Sequence, residues 1–304
     1  MNPITPEENR LGFIGIGYMG RPIAQRLLQS GFKVTAYDRH RSKADELTRY
    51  GGNVAQSVAE LASSSDVVLS CLASDEAVLH VYGGADGALA HARRGALVID
   101  LSTVDPKTSL EVSRLGSERG VNVLDVTMSG SIPTAEQGAL VLFGGGDARW
   151  FSAAESIFRV MARKYFYLGP NGSGAVMKLV VNTLLGVGMQ AIAEAVALGE
   201  KSGLERDRLL GVLSETAVVA PAHAGKLARA KERDYSPQFP LRLMNKDFGL
   251  ILRLAAAVGA EMPATRAAFE VNAAQAARGQ EQDFSAVILE MENRAHLGSG
   301  DKGT

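Results

Sequence analysis

Cysteine, net charge and uninterrupted apolar runs are all scarce in this sequence. Cys71 is the single cysteine among 304 residues, so no internal disulfide can form, and this suits a reducing compartment. It lies in an apolar, strand-like run, which predicts a packing role for it. The formal net charge of −1 offers no electrostatic attraction to nucleic acid or to an anionic membrane. A disulfide-stabilised secreted domain and a basic nucleic-acid-binding protein are therefore both disfavoured.

Hydrophobic segments that would target or anchor the chain are lacking as well. The segment 1–8 is polar and acidic, unlike a secretory signal peptide. The most apolar segment, 176–198, is interrupted at helical spacing by polar residues, which argues against a membrane span: Lys178, Asn182, Gln190 and Glu194. We therefore expect a soluble, cytoplasmic protein.

The first half of the chain alternates short apolar strands with helices. Strands are predicted at 11–16, 33–37, 66–70, 96–100, 121–126 and 139–143, with a further one at 165–168. One helix is predicted to follow the first strand and its glycine turn and to end near residue 30. Others are predicted at 43–50, 75–82 and 106–119. Several strand runs are apolar without alternation, as expected for strands covered on both faces. This pattern predicts an α/β fold with a largely parallel, doubly wound sheet.

After Gly169 the strand signals disappear and helical patterns follow one another. Helices are predicted at 172–202, 206–217, 221–232, 245–259, 264–278 and 284–293, separated in part by prolines. We therefore predict a first domain at 1–169, an all-helical domain at 170–297 and a disordered tail at 298–304.

A glycine motif directly follows the first predicted strand and opens a helix. It fits G-x-G-x-x-G with the residues Gly15, Ile16, Gly17, Tyr18, Met19 and Gly20. The first glycine permits a tight turn, the second lets a pyrophosphate approach the backbone, and the third lets the helix pack close to the strand. The motif predicts a dinucleotide site in a Rossmann-type domain.

The residues after the second strand bear on the choice of dinucleotide. Asp38 would accept hydrogen bonds from the ribose 2′-hydroxyl of NAD and repel the 2′-phosphate of NADP. Arg39 and Lys43 stand close by, with His40 and Arg41, and would pair with that phosphate. The sequence therefore predicts NAD or NADP as cofactor and leaves the choice between them open.

A second glycine-rich turn, at Gly169, Gly172 and Gly174, feeds a helix that carries Lys178 and Asn182. Their spacing of four residues puts both side chains on one helix face. The surrounding residues are strongly apolar, so we expect this helix to be buried. Burial disfavours the charged form of a lysine, which would let it exchange protons near neutral pH. The competing interpretation is an ordinary lysine whose ammonium group reaches solvent.

Four motifs together resemble the β-hydroxyacid dehydrogenase family, of the 3-hydroxyisobutyrate dehydrogenase and tartronate semialdehyde reductase type. They keep the family's order: the cofactor fingerprint at 13–24, the substrate segment at 125–131, the catalytic motif at 169–182 and the K-D-x-G-L segment at 246–250. The resemblance implies a Rossmann domain followed by an all-helical domain like the C-terminal domain of 6-phosphogluconate dehydrogenase. It also implies an NAD(P)-dependent oxidoreductase acting on CH–OH groups, with no metal.

The resemblance assigns roles to individual residues. Lys178 would be the general acid/base, and Asn182 would orient the substrate by hydrogen bonding. The substrate carboxylate would be held by Ser129, Gly130 and Ser131. The nicotinamide half of the cofactor would lie near Leu72, Thr103 and Lys246.

Three positions depart from the family pattern. Phe248 replaces the common leucine of the 246–250 segment and is expected in the core, and the other two lie in the substrate segment. Ser131 stands where a second glycine is usual, and Thr127 replaces a proline, so the segment 127–129 is expected to reshape the substrate pocket. Related imine reductases share the architecture without the catalytic lysine, so Lys178 and Asn182 favour hydroxyacid chemistry.

Several substrates and one different class stay open. The resemblance favours a short 3-hydroxy acid and its semialdehyde, either tartronate semialdehyde (2-hydroxy-3-oxopropionate) or 3-hydroxyisobutyrate. Reduction of glyoxylate or succinic semialdehyde is the alternative within the family, and a non-catalytic NAD(P)-binding scaffold is the alternative outside it. The long apolar helix at 172–202 is too large for the small helical domain to cover, which predicts a homodimer or homotetramer.

Overall fold

A computed structural model describes residues 2–297 of the chain. Within that range eight strands form one sheet, in the order β3-β2-β1-β4-β5-β6-β7-β8. Their bounds are β1 Arg10–Ile14, β2 Lys33–Tyr37, β3 Asn53–Val54, β4 Val67–Ser70, β5 Leu97–Asp100, β6 Asn122–Ser129, β7 Leu140–Gly145 and β8 Ala162–Tyr167.

The sheet is doubly wound and largely parallel, as predicted. The strands β3 to β6 pair in parallel, whereas β7 runs antiparallel to β6 and parallel to β8. The order turns back on itself at β1 and β4, because β2 and β3 lie on one side of β1 and β4 lies on the other. In such sheets ligands bind outside the carboxyl ends of the strands at this switch point.

Both faces of the sheet are buried, which explains the continuous apolar runs of its strands. In β1, Leu11 and Phe13 pack into one core, and Ile14 packs into the core on the other face. In β4, Val68 likewise faces the opposite core from Val67. Successive side chains point to opposite faces of a strand, so a strand covered on both sides is apolar throughout.

The helices of the first part of the chain are more numerous than predicted. They are α1 Gly20–Gln29, α2 Arg41–Asp45, α3 Val58–Ser64, α4 Asp75–Tyr82, α5 Ala88–His91, α6 Pro106–Arg119, α7 Ile132–Glu136, α8 Ala148–Ala153 and α9 Glu155–Met161, with a 3-10 helix at Glu46–Tyr50. The stretch predicted as helical at 43–50 is helical, but it begins at Arg41 and divides into α2 and the 3-10 helix. The missed α-helices are short, so few turns carry the 3.6-residue periodicity that would reveal them.

All regular elements assigned to the described residues of the second part of the chain are helices, joined by loops. Its elements are α10 Ser173–Lys201, α11 Arg206–Ser214, α12 Pro221–Lys231, α13 Leu241–Val258, α14 Pro263–Gly279, a 3-10 helix Phe284–Ala286 and α15 Val287–Arg294. The six predicted helices are present, but α13 starts earlier than predicted. Pro240 directly precedes it, where the fixed φ of proline suits a helix start.

Burial of α10 differs from the prediction. Val180, Leu184 and Leu198 are exposed by 50%, 73% and 70%, so the expectation of a buried helix was wrong for this face. The opposite face packs into the helical core through Leu179, Met189 and other apolar residues. By length and composition alone α10 would also pass as a membrane span, a criterion that long core helices meet as well.

The chain divides into two compact units between Lys178 and Leu179, within α10. The first unit contains the sheet, and the second, called the helical unit below, contains α10 from Leu179 onward and α11 to α15. The domain bounds 1–169 and 170–297 stay a prediction, and the predicted tail at 298–304 lies outside the described residues.

Candidate active site

The glycine loop after β1 has the geometry that its three glycines predict. Gly15 has a φ of 93°, and a Cβ there would lie 2.4 Å from the Cys71 carbonyl oxygen. A Cβ on Gly20 would lie 1.9 Å from the Gly15 carbonyl oxygen, so only glycine lets α1 start this close to β1. A Cβ on Gly17 would meet nothing within 4 Å. The space at Gly17 is therefore open for a ligand, as a pyrophosphate requires.

Asp38, directly after β2, is bound to this loop. Its Oδ2 accepts a hydrogen bond of 2.9 Å from the Ile16 backbone N–H, and its Oδ1 accepts one of 2.8 Å from His40. Two oxygens offer about four lone-pair positions, so one on each stays available for ribose hydroxyls. Arg39 beside it is exposed, as are Tyr18 and Lys43, while Met19 is half-buried. The loop and Asp38 together fit a dinucleotide.

The carboxyl ends of β4 and β5 are joined by a buried polar network. Asp100 Oδ1 accepts hydrogen bonds of 2.6 Å from the hydroxyls of Ser70 and Ser102, and Tyr82 donates to Ser70 at 2.6 Å. Burial raises the pKa of Tyr82 well above its ordinary value, and the negative charge of Asp100 adds to this effect. Ser102 Oγ in turn accepts the backbone N–H of Leu72 at 2.8 Å. The network fixes the turn that carries Leu72, and the half-buried Thr103 directly follows Ser102.

The N-terminus of α10 is fixed to β6 by Asp125. Asp125 Oδ1 accepts the Gly172 N–H at 2.8 Å, and Oδ2 accepts the Ala175 N–H at 3.0 Å. N–H groups at the start of a helix have no acceptor within the helix, and a carboxylate is favoured there. Burial raises the pKa of Asp125, although the backbone N–H groups oppose the shift. A Cβ on Gly174 would lie 2.4 Å from the Asp125 carbonyl oxygen, so this glycine permits the close approach.

Thr127 contacts the start of α10, and the expected effect of segment 127–129 on the substrate pocket stays a prediction. Its side chain is fully buried, and its hydroxyl donates to the Gly174 carbonyl oxygen at 2.7 Å. The hydroxyl thus adds a second link between β6 and the start of α10. The sequence could not show this, because the partner is 47 residues away.

The predicted substrate segment lies at the end of β6 and the start of α7. Ser129 is the last residue of β6 and is half-buried, while Gly130 is exposed with a φ of 146°. Ser131 directly precedes α7, and its hydroxyl lies 3.0 Å from the Thr134 hydroxyl. The left-handed backbone at Gly130 favours glycine and exposes the turn between two hydroxyl-bearing residues.

Lys178 is half-buried rather than buried, on the turn of α10 after Ala175. The strongly buried lysine of the helical unit is Lys226, whose Nζ donates to Asp283 at 2.7 Å. Burial lowers the pKa of Lys226, against the attraction of Asp283. This pair was not predicted, because its two residues lie 57 positions apart in the sequence.

Asn182 and Lys246 belong to the helical unit, on α10 and α13. Asn182 is 1% exposed and its Nδ2 donates to Asp247 Oδ2 at 2.6 Å. Asp247 Oδ1 lies 3.1 Å from the Nζ of the half-buried Lys246, an ion pair without hydrogen-bond geometry. Phe248, predicted as a core residue, is 1% exposed and packs against Gly186. Of the other polar residues of α10, Gln190 is buried and bonds Glu194, which is exposed.

The fold and the glycine loop define the class: an NAD(P)-binding Rossmann domain followed by a helical domain, as in dehydrogenases of hydroxy acids. A family profile described as the NAD binding domain of 6-phosphogluconate dehydrogenase matches residues 10–169. One described as NAD-binding of NADP-dependent 3-hydroxyisobutyrate dehydrogenase matches residues 172–291. The chain belongs to the β-hydroxyacid dehydrogenase family and is an NAD(P)-dependent oxidoreductase acting on CH–OH groups.

Individual relatives agree with this assignment over nearly their whole lengths. The chain is 37% identical to glyoxylate/succinic semialdehyde reductase 1 of Arabidopsis thaliana, over 91% of this chain and 96% of that protein. It is 35% identical to the NAD-dependent L-serine dehydrogenase of Pseudomonas aeruginosa, with the same coverage of 91% and 96%. A structure of Mycobacterium tuberculosis 3-hydroxyisobutyrate dehydrogenase with L-serine superposes with a TM-score of 0.84 at 33% identity, covering 92% and 98% of the two chains.

Proposed function

We propose that the protein interconverts a short 3-hydroxy acid and its semialdehyde, with Lys178 as general acid/base. The observation that carries the proposal is the anchoring of α10. Asp125 holds the first turn of this helix on β6, and Lys178 follows Ala175 by one turn. A general acid/base must be held in place within hydrogen-bond reach of the reacting oxygen.

The other predicted residues receive complementary roles in this proposal. When bound, the nicotinamide cofactor supplies or accepts the hydride. Its pyrophosphate would lie over Gly17 and its adenosine ribose against Asp38, with Leu72, Thr103 and Lys246 toward the nicotinamide. Lys178 would donate a proton to the carbonyl oxygen in reduction and remove it from the hydroxyl in oxidation. Ser129, Gly130 and Ser131 would bind the substrate carboxylate through hydroxyl and backbone N–H donors.

The substrate is proposed as a short carboxylate with a primary alcohol or aldehyde carbon. Tartronate semialdehyde and 3-hydroxyisobutyrate fit this description. The relatives named for glyoxylate, succinic semialdehyde and L-serine support the same chemistry and keep glyoxylate or succinic semialdehyde as the alternative. A panel of these compounds assayed in both directions with both cofactors tests the proposal. The compound with the highest kcat/KM identifies the substrate.

The cofactor preference is expected to depend on the charge of Asp38. Asp38→Asn keeps an acceptor oxygen for the Ile16 N–H but removes the negative charge that would repel a 2′-phosphate. We expect the ratio of Kd for NADP(H) to Kd for NAD(H) to fall by about tenfold, equivalent to about 1.4 kcal/mol. Fluorescence titration with the two reduced cofactors measures the ratio. An unchanged ratio would show that Asp38 does not select the cofactor.

We also propose that a second copy of the chain covers the exposed apolar face of α10. This helix has 29 residues, about 44 Å at 1.5 Å per residue, and Leu184 and Leu198 on it are mostly exposed. A large apolar surface of this kind marks an interface. We expect light scattering to give a dimer or tetramer, and Leu184→Glu to shift it toward monomer. A monomeric wild type would contradict the proposal.

Cytoplasmic localisation stays a prediction from the composition.

A further inference from the structure

Asn182 and Asp247 form a hydrogen-bonded pair in the interior of the helical unit. Both residues are 1% exposed, and Asn182 Nδ2 lies 2.6 Å from Asp247 Oδ2. Asn182 lies on α10 and Asp247 lies on α13, and the two residues are 65 positions apart in the sequence. A buried hydrogen bond to a carboxylate is stronger than a neutral one, so this pair holds its geometry firmly.

The chemistry of the two groups fixes which way the amide of Asn182 points. An ionised carboxylate only accepts hydrogen bonds, so the NH₂ end of Asn182 must face Asp247. Its Oδ1 then points away from the carboxylate, and it has no hydrogen-bond partner among residues 2–297. Leaving a buried acceptor unsatisfied is unfavourable, because its hydration is lost and no hydrogen bond replaces it. An oriented buried acceptor of this kind is suited to a donor that arrives with a ligand.

We propose that Asp247 is a positioning residue that turns the Oδ1 of Asn182 toward a hydrogen-bond donor on the substrate. The ligand at this position carries a hydroxyl or an ammonium group rather than a second carboxylate, because an acceptor oxygen repels an anion. The neighbouring Lys246, 3.1 Å from Asp247 Oδ1, keeps the carboxylate paired on its other side. This inference rests on the proposed function, in which Asn182 contacts the substrate, and it adds the direction of the hydrogen bond and the residue that sets it.

Exchanging the two side chains tests the orientation directly. Asp247→Asn leaves the Asn182 amide free to turn over, and we expect kcat/KM to fall about tenfold or more. Asn182→Asp places two carboxylates against each other, and we expect a fall of about 100-fold at neutral pH. The double variant N182D/D247N reverses donor and acceptor but again presents an oxygen to the substrate. We expect it to recover kcat/KM to within about fivefold of wild type, or about 1 kcal/mol.

The pH profile separates positioning from a merely structural role. In Asn182→Asp, a proton shared between the two carboxylates would act as donor to Asp247 and leave one oxygen as acceptor. We therefore expect the activity of this variant, relative to wild type, to rise as the pH falls. A variant damaged only in stability would show a constant ratio wherever both proteins stay folded.

The matched control is Asn272→Asp on α14. Asn272 is 2% exposed and bonds Asn245 at 2.6 Å, so its replacement perturbs an equally buried asparagine of the same unit. We expect it to lower Tm without the pH-dependent loss of kcat/KM seen for Asn182→Asp. Thermal unfolding of every variant shows which ones are folded at the assay temperature.

Two results would overturn the positioning role. One is a folded Asp247→Asn with wild-type kcat/KM, and the other is a folded double variant no more active than the poorer single variant. In either case, wild-type turnover that is lost in Lys178→Ala leaves the proposed function standing. If instead the wild type turns over no compound of the panel, the proposed function fails. The pairing of Asn182 with Asp247 is then tested by whether their substitutions are coupled in thermal unfolding. The role of Asn182 Oδ1 as acceptor is tested by whether the wild type binds a short hydroxy acid. Absence of the coupling or of the binding overturns the inference.

Discussion

Lys178→Ala is expected to reduce kcat by about 10²–10⁴-fold, the usual contribution of a general acid/base. The substitution removes the proton donor and acceptor but leaves the Asp125 contacts that hold the first turn of α10. The glycine loop and Asp38 are also unchanged, so we expect the Kd for NAD(P)H to stay within about twofold, which is under 0.5 kcal/mol. Stopped-flow or steady-state assays with saturating cofactor measure the loss.

The control is Lys201→Ala, at the far end of the same helix. Lys201 Nζ bonds the Ala295 carbonyl oxygen at 3.0 Å on the surface, and its loss should leave kcat unchanged. Lys178→Arg should be nearly as inactive as Lys178→Ala, because a guanidinium does not release its proton in this pH range. A folded Lys178→Ala protein with wild-type kcat would remove Lys178 from the mechanism.

Alanine at Gly20 is expected to lower the stability of the fold, whereas alanine at Gly17 is expected to weaken cofactor binding. At Gly20 the Cβ would lie 1.9 Å from the Gly15 carbonyl oxygen, and we expect a loss of stability of about 3 kcal/mol or more. At Gly17 the Cβ meets nothing within 4 Å, so stability should be unchanged or slightly higher. The same Cβ would occupy the space proposed for the pyrophosphate, and we expect the cofactor Kd to rise at least about tenfold, or about 1.4 kcal/mol.

Calorimetry of cofactor binding and thermal unfolding separate these two effects. Gly211→Ala serves as the control, since its Cβ also meets nothing within 4 Å but lies in the helical unit on α11. It should change neither cofactor Kd nor stability by much. Wild-type cofactor affinity in Gly17→Ala would show that the pyrophosphate does not lie over this glycine.

Local patterns in the sequence were sufficient for much of the fold. The strand β2 was predicted with its observed bounds, and so were α4 and α6, because apolar runs and helix caps carry strong local signals. The antiparallel pairing of β7 with β6 was not predicted, since strand direction depends on partners distant in the chain. The two-residue β3 was missed because so short a strand carries almost no pattern.

The site could be predicted as motifs but not as contacts. The glycines of the cofactor loop and of the α10 turn have the backbone constraints that their spacing indicated. The partners of Asp125 lie 47 and 50 residues away and that of Asn182 lies 65 residues away, so they could not be identified from spacing alone. Burial of Lys178 was overestimated, because an apolar helix can also expose an apolar face. The sequence therefore indicated candidate residues for the site, and the structure shows what holds them in place.

The most direct test of the central claim is turnover of the wild-type protein. NADH or NADPH is mixed with glyoxylate, succinic semialdehyde or tartronate semialdehyde, and the absorbance of the reduced nicotinamide is followed. We predict that it falls with at least one of these compounds, and that Lys178→Ala slows the reaction at least about 100-fold while still binding the cofactor. A protein that binds NAD(P)H yet shows no turnover with any short semialdehyde or hydroxy acid, in either direction, would contradict the account and favour a non-catalytic scaffold.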